Sequence, residues 1–355
     1  MVSTNELVPD LMRLNSGQAV DNPQAWAFRR KELSHAALSQ VYGPLPPWPA
    51  LSSAELLHEA VSALSDGARV QSWRVLVDGR QAFMLRVLLP AGHGPFAVLV
   101  SGDACWTYAG EAVQKSVLAR GYAWAEFNRV EIMSDLPPAA GTPQTCAALA
   151  GVDTAAIAAW AWGFHRAVDA LVQMPVLNPQ AIAVVGHSRG GKAALLAGAL
   201  DERIALTSAN NSGAAGAGSM RCLGRGAESL QDLVRAFPHW LPAFLESRSG
   251  CVQAPDFDQH CLLALIAPRY VLNTQALDDL WANPAGTLAS HLAAGQVYKW
   301  LGAADRQVLA FRPGGHAQNE WDWQTLLAHM DSCFKGLRAP VHKTPAGLLE
   351  ARSSL

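Results

Sequence analysis

The rhythm of apolar and polar positions along this chain changes near residue 68. Residues 70–77 and 81–89 alternate apolar and polar side chains on either side of Asp78-Gly79, the pattern of two antiparallel strands joined by a tight turn. Further on, short apolar runs at 96–102, 122–128, 181–186, 204–210, 269–275 and 307–313 predict buried strands. Helices are predicted at 111–120, 154–174, from 189 to 200, 284–301 and 320–334. From residue 96 onward strands alternate with helices, which specifies an α/β fold: a mostly parallel central sheet with helices on both faces. Residues 1–60 are polar and proline-rich and are expected to form an N-terminal arm, with one helix over 22–41, that packs on the body. Residues 61–355 then form one domain, with a loop at 136–153 and a glycine-rich, irregular insertion at about 211–260 that carries one helix from Glu228 to Phe237.

One junction carries chemistry. The apolar run Ile182-Ala183-Val184-Val185 leads into Gly186-His187-Ser188-Arg189-Gly190, and an alanine-rich helix follows from Lys192 to Leu200. G-x-S-x-G between strand and helix is the pattern of a nucleophile elbow, in which a strained turn lifts the serine hydroxyl above the sheet. A serine needs a base, and in this architecture the chain order is nucleophile, acid, histidine. Six histidines follow Ser188, at 239, 260, 291, 316, 329 and 342. Only His316 directly follows a predicted strand and precedes a helix, with Gly314 and Gly315 allowing a sharp turn. Two strand ends could supply the acid. After 204–210 come Asn210-Asn211-Ser212, which cannot give an imidazolium a negative partner. After 269–275 come Asp278 and Asp279; Asp279 is the favoured choice of the two.

Composition narrows the function classes. The chain has 355 residues, is half apolar and carries a net charge of −2, with no basic stripe for nucleic acid. The most apolar stretch, 181–200, is interrupted by His187, Arg189 and Lys192, so no membrane span is expected. Six cysteines, at 105, 146, 222, 251, 261 and 333, contain no C-x-x-C pair and read as free thiols. Cys251, His260 and Cys261 match no common zinc spacing, so neither metal nor cofactor is expected. The opening residues show no basic segment followed by an apolar one, so the sequence as it stands reads as cytoplasmic, or as exported had a leader been removed. Nothing in the pattern sets an oligomeric state.

Several segments taken together resemble the bacterial branch of the glucuronoyl esterases, carbohydrate esterase family 15. They are "GHSRGGKAAL" at 186–195, "FPHW" at 237–240, "DQHCLLALIAPRYVL" at 258–272, "DDLWANP" at 278–284 and "GGH" at 314–316, preceded by Trp26, Arg29, Arg30, Glu32 and Leu33 and by "YGPLPP" at 42–47. The resemblance spans roughly residues 24–335 and implies an α/β-hydrolase fold. It implies cleavage of esters between 4-O-methyl-glucuronic acid of xylan and lignin alcohols. It makes Ser188 the nucleophile, His316 the base and Arg189 the residue that helps hold the oxyanion. Lys192 and Glu228 match residues that bind sugar hydroxyls, and Trp281 matches a tryptophan flanking the sugar. The chain also departs from the family's pattern. Many members place the acid after the strand that here ends in asparagine. The fungal pattern has a bridge between cysteines beside the nucleophile and beside the histidine, where this chain has His187 and Ala317. The family's sugar-binding glutamine has no counterpart.

The leading expectation is a serine esterase acting on uronic acid esters through an acyl-enzyme. The alternatives are a broad carboxylesterase for small intracellular esters and a non-catalytic binding protein on a hydrolase fold.

Overall fold

The computed structural model describes residues 9–137, 144–247 and 256–348. Among the described residues nine strands form one sheet: β1 (Ser52–Val61), β2 (Arg69–Val77), β3 (Arg80–Leu89), β4 (Phe96–Ser101), β5 (Ala123–Phe127), β6 (Leu177–His187), β7 (Leu206–Asn210), β8 (Tyr270–Ala276) and β9 (Gln307–Arg312). Their order across the sheet is β1-β2-β3-β5-β4-β6-β7-β8-β9. The three pairings from β1 to β5 are antiparallel, and those from β5 through β9 are parallel. The sheet is thus mostly parallel, as the alternation of elements requires.

The helices are α1 (Pro23–Ala37), α2 (Glu111–Ala119), α3 (Arg129–Ile132), α4 (Ala156–Leu171), α5 (Arg189–Leu200), α6 (Leu230–Ala236), α7 (Phe244–Ser247), α8 (Gln259–Ile266), α9 (Pro284–Trp300) and α10 (Glu320–Lys335). The period of two along the buried strands sorts side chains between two cores. Ile182 and Val184 of β6 join Trp160 and Phe164 of α4, Leu195 of α5, Leu262 of α8 and Val297 of α9 on one face. Ala183 and Val185 join Val117 of α2 and Trp323, Leu327 and Met330 of α10 on the other. Every residue from Ile182 to Val185 is at least 99% buried, which is why this strand reads as continuously apolar.

The N-terminal segment differs from the expected arm in one respect. Residues 52–61 form β1, which extends the sheet edge, so the arm ends before residue 60. The strand escapes a reading by periodicity because it is largely exposed on both faces, and Glu, Leu and Ala favour helix more than sheet. The arm's helix α1 starts at an Asn22 cap and packs Ala25, Trp26 and Leu33 into the larger core. Just beyond it, the Tyr42 hydroxyl lies 2.9 Å from both the Ala215 carbonyl and Gln259 Oε1, which docks the arm on the insertion. That insertion is more ordered than its glycines suggest. It holds α6 and α7 and runs into α8, all of whose residues are buried; residues 248–255, with Cys251, lie outside the described residues.

Candidate active site

The carboxyl ends of the parallel strands build the site, where ligands of open α/β sheets bind. Ser188 stands between β6 and α5 with φ 53° and ψ −119°, a strained conformation for a side chain bearing a Cβ. The two flanking glycines make the turn possible. A Cβ on Gly186 would overlap the backbone of Gly190, and one on Gly190 would overlap the Asp103 carboxylate.

Three side chains from separate strand ends meet in series. His316 Nε2 lies 3.0 Å from Ser188 Oγ, and His316 Nδ1 lies 2.6 Å from Asp279 Oδ2. The carboxylate can only accept, so Nδ1 carries the proton and Nε2 faces the serine as an acceptor. Asp279 is buried, whereas His316 is half-exposed. Its neighbour Asp278 turns elsewhere: Oδ2 accepts from the Gly314 N–H at 2.7 Å, holding the loop that carries His316. Neither aspartate caps α9; Asn283 does, accepting from Gly286 N–H at 2.9 Å.

The asparagines after β7 brace the same loop. Asn211 Nδ2 donates to the His316 carbonyl at 3.0 Å, and Asn211 Oδ1 accepts from Ala276 N–H at 2.8 Å. The strand end that lacks a carboxylate therefore fixes the histidine's backbone rather than its ring.

Arg189 opens α5. Its guanidinium donates to Asp135 Oδ2 at 2.8 Å and lies among the rings of Trp106, Phe237 and Trp240, 4.7–5.5 Å from their centroids. Asp135 also accepts from Trp240 Nε1 at 2.8 Å. Such a box fixes the planar group by charge, hydrogen bond and cation–π attraction together. Beneath it, buried Arg129 pairs with Asp103, and Asp103 Oδ2 accepts from the His187 N–H. The first backbone N–H groups of α5 have no partner within the helix, so they offer donors beside Ser188.

Lys192, Glu228 and Trp281 come together as well. Lys192 Nζ donates to the Ala214 carbonyl and to Glu228 Oε2, the latter at 3.1 Å, and Trp281 Nε1 donates to Glu228 Oε1 at 3.0 Å. Lys192 and Glu228 are buried, and Trp281 is 50% exposed. Glu228 lies one residue ahead of the α6 cap, Ser229, whose capping box with Asp232 starts the helix later than the sequence predicts and leaves Glu228 outside it. The α5 helix places Lys192 one turn beyond Ser188. Sequence reasoning missed Asp103, Asp135 and His187 as parts of the site. Asp103 stands just past the end of β4, a position that could have drawn notice; Asp135 lies in a loop with no pattern of its own.

Residues 76–302 match the family described as glucuronyl esterase, fungi. The 4-O-methyl-glucuronoyl methylesterase of Schizophyllum commune is 28% identical over 347 residues, covering 90% of this chain and 80% of the relative. Carbohydrate esterase MZ0003, from an unknown prokaryotic organism, is 34% identical over 195 residues, 51% of this chain and 45% of that relative's length. A carbohydrate esterase family 15 glucuronoyl esterase from Caldicellulosiruptor kristjansonii has a structure that aligns over 98% of this chain and 97% of its own, with TM-score 0.78 and 28% identity. With its α/β-hydrolase fold and a family match over well more than half its length, this chain belongs to the glucuronoyl esterases of carbohydrate esterase family 15 and is a carboxylic ester hydrolase.

Proposed function

We propose that the protein hydrolyses esters of 4-O-methyl-glucuronic acid through an acyl-enzyme on Ser188, with His316 as base and Asp279 as the acid that orients it. The observation that carries the reading is the Asp279–His316–Ser188 series standing beside the Lys192–Glu228–Trp281 cluster. The relative's activity as a 4-O-methyl-glucuronoyl methylesterase supports the same acid component. In the forward step His316 Nε2 takes the Ser188 proton as Oγ adds to the ester carbonyl. Asp279 stabilises the imidazolium without taking a proton itself. Negative charge then develops on the former carbonyl oxygen. The Arg189 backbone N–H and guanidinium are the donors for it, and one such donor contributes on the order of 3 kcal/mol. His316 next protonates the departing alcohol, and water, activated by the same imidazole, releases the acid. Trp281 offers a flat apolar face to the sugar ring, while Glu228 and Lys192 offer polar groups to its hydroxyls.

The test compares the methyl or benzyl ester of glucuronic acid with nitrophenyl acetate. Wild type should prefer the glucuronate ester strongly, and Ser188→Ala should lose activity on both by up to roughly a millionfold. Equal efficiency on the two esters would replace this reading with a broad carboxylesterase. Activity above a few per cent in Ser188→Ala would remove the nucleophile.

A further inference from the structure

His316 is exposed for an essential base, although hydrogen bonds to Asp278 and Asn211 hold the backbone of its loop. Half of its side chain faces solvent, and the two residues before it are glycines, Gly314 in a left-handed conformation at φ 92°. The two hydrogen bonds to Ser188 and Asp279 act only at the edges of the ring and leave its tilt unset. The imidazole also lies against a second aromatic ring, tilted to it. The His187 and His316 centroids lie 4.7 Å apart with their planes at 53°.

His187 is placed so that it cannot yield. It ends β6, is 2% exposed and receives the Tyr108 ring edge-on at 4.6 Å between centroids. Its backbone N–H donates to Asp103 Oδ2 at 2.9 Å, and its Nδ1 lies 2.6 Å from Asn210 Oδ1. The Asn210 amide nitrogen is already used, donating to Thr274 Oγ1 at 2.9 Å. The oxygen therefore accepts, and His187 carries its proton on Nδ1. That same Asn210 oxygen also accepts from Asn211 Nδ2 at 3.2 Å, and Asn211 grips the His316 carbonyl. The network thus reaches His316 from two sides, ring to ring and amide to backbone. Burial also pushes the His187 imidazole down to about 4. It stays uncharged at neutral pH and does not oppose the positive charge His316 acquires during turnover.

We infer that His187 is a positioning residue for catalysis: its buried ring, locked by Asn210, is the surface that holds the His316 imidazole in line with both Ser188 and Asp279. The inference rests on His316 being the base. The side-chain partners described for His187 are Asn210, Tyr108 and His316, not the serine hydroxyl, so its loss should act on the rate and not on binding.

The experiment measures kcat and KM for the methyl ester of glucuronic acid in His187→Ala, His187→Phe and His316→Ala. An error of order 1 Å in a base can cost about a hundredfold. His187→Ala should lower kcat by about that factor with KM within roughly twofold of wild type, and His187→Phe, which keeps the flat face, should recover to within about tenfold. In 15N-histidine-labelled protein the far-downfield Nδ1–H resonance of His316 should be sharp in wild type and His187→Phe and lost in His187→Ala. Urea midpoints show whether each variant folds; if His187→Ala does not, His187→Leu, which fills the space without a flat face, takes its place with the same expected result. A kcat above half of wild type in the folded Ala or Leu variant overturns the inference. So does a matched loss in KM, or a folded Phe variant as slow as Ala. Full activity in His316→Ala would instead overturn the assignment of the base, and the role of His187 with it.

Discussion

The buried pair Lys192–Glu228 sets a quantitative test of how the proposed sugar side of the site is built. Its atoms are 3.1 Å apart, with the two side chains 3% and 4% exposed. At that distance, and at an effective dielectric near 20, two unit charges attract by about 5 kcal/mol. Desolvation of both groups offsets much of this, so the pair as a whole contributes little to stability. Removing one partner is another matter, because the other charge stays buried. Lys192→Met keeps the length of the stem and strands the Glu228 carboxylate with the Trp281 N–H as its remaining donor among those described. The expected loss is about 3–5 kcal/mol. Glu228→Gln should cost less, because the Ala214 carbonyl still accepts from Lys192. The double variant Lys192→Met/Glu228→Gln removes both charges and should be more stable than Lys192→Met alone. The coupling between the sites should then be about 2 kcal/mol or more.

Equilibrium urea unfolding of the four proteins measures this cycle. Repeating it in 1 M salt separates a buried pair from a surface one, because screening acts mainly on exposed charges. Kinetics add the functional half: KM for a glucuronate ester should rise about tenfold or more in Lys192→Met, while nitrophenyl acetate, which has no hydroxyls to hold, should be turned over as before. Additive stability losses, or a Lys192→Met loss under about 1 kcal/mol, would refute the claim that these charges depend on one another. Equal kinetic losses on both esters would show that the lysine supports the elbow rather than the sugar.

Two further outcomes follow from the site and the core. Asp279→Asn should lower kcat by about 10⁴-fold, whereas Asp278→Asn, which keeps a side-chain oxygen to accept from the Gly314 N–H, should lower it about tenfold or less; the reverse ranking would make Asp278 the acid. Burial pushes His187, His291 and His329 from the ordinary 6.5 down to about 4 each. Between those values the unfolded chain binds protons that the folded protein refuses, so stability is full above about pH 6.5 and falls as pH drops toward 4, by up to about 1.4 kcal/mol per pH unit for each histidine. A urea midpoint unchanged from pH 7.5 to 5 would contradict this.

The legible parts of the sequence were those where one physical rule acts alone. β6 is buried on both sides, so a short apolar run ending in G-x-S-x-G suffices to place Ser188 at a strand-to-helix elbow. His316 stood out because a pair of glycines and a following helix frame it. β1 was invisible because an exposed edge strand needs no alternation, and Leu56, Leu57 and Val61 face solvent. α8 was hidden for the opposite reason: a helix apolar all round has no amphipathic period to detect. Glu228, Lys192 and Trp281 could each be named from the resemblance. Their mutual hydrogen bonds span sequence separations of 36 and 53 residues, and no local pattern encodes these.

The asparagines at the end of β7 show why the proposed acid stands on the neighbouring strand. A carboxylate at Asn210 would meet the His187 ring, Thr274 and Asn211, all of which the amide already satisfies with its donor and acceptor used separately. An acid there would lose the donor to Thr274 and bury a charge with no cation to pair it. At Asn211 the side chain donates to one backbone group and accepts from another, which a carboxylate cannot do. Both positions are therefore committed to bracing His187 and the His316 loop, and both demand amides. Asp279, one strand further on, approaches the His316 ring at Nδ1 instead. The ring is met from the β8 end, while its loop is held from two strand ends, by Asn211 after β7 and by Asp278 after β8. A substitution that restored an acid at Asn211 would gain no better triad; it would exchange the hydrogen bond that holds the His316 carbonyl for repulsion against it.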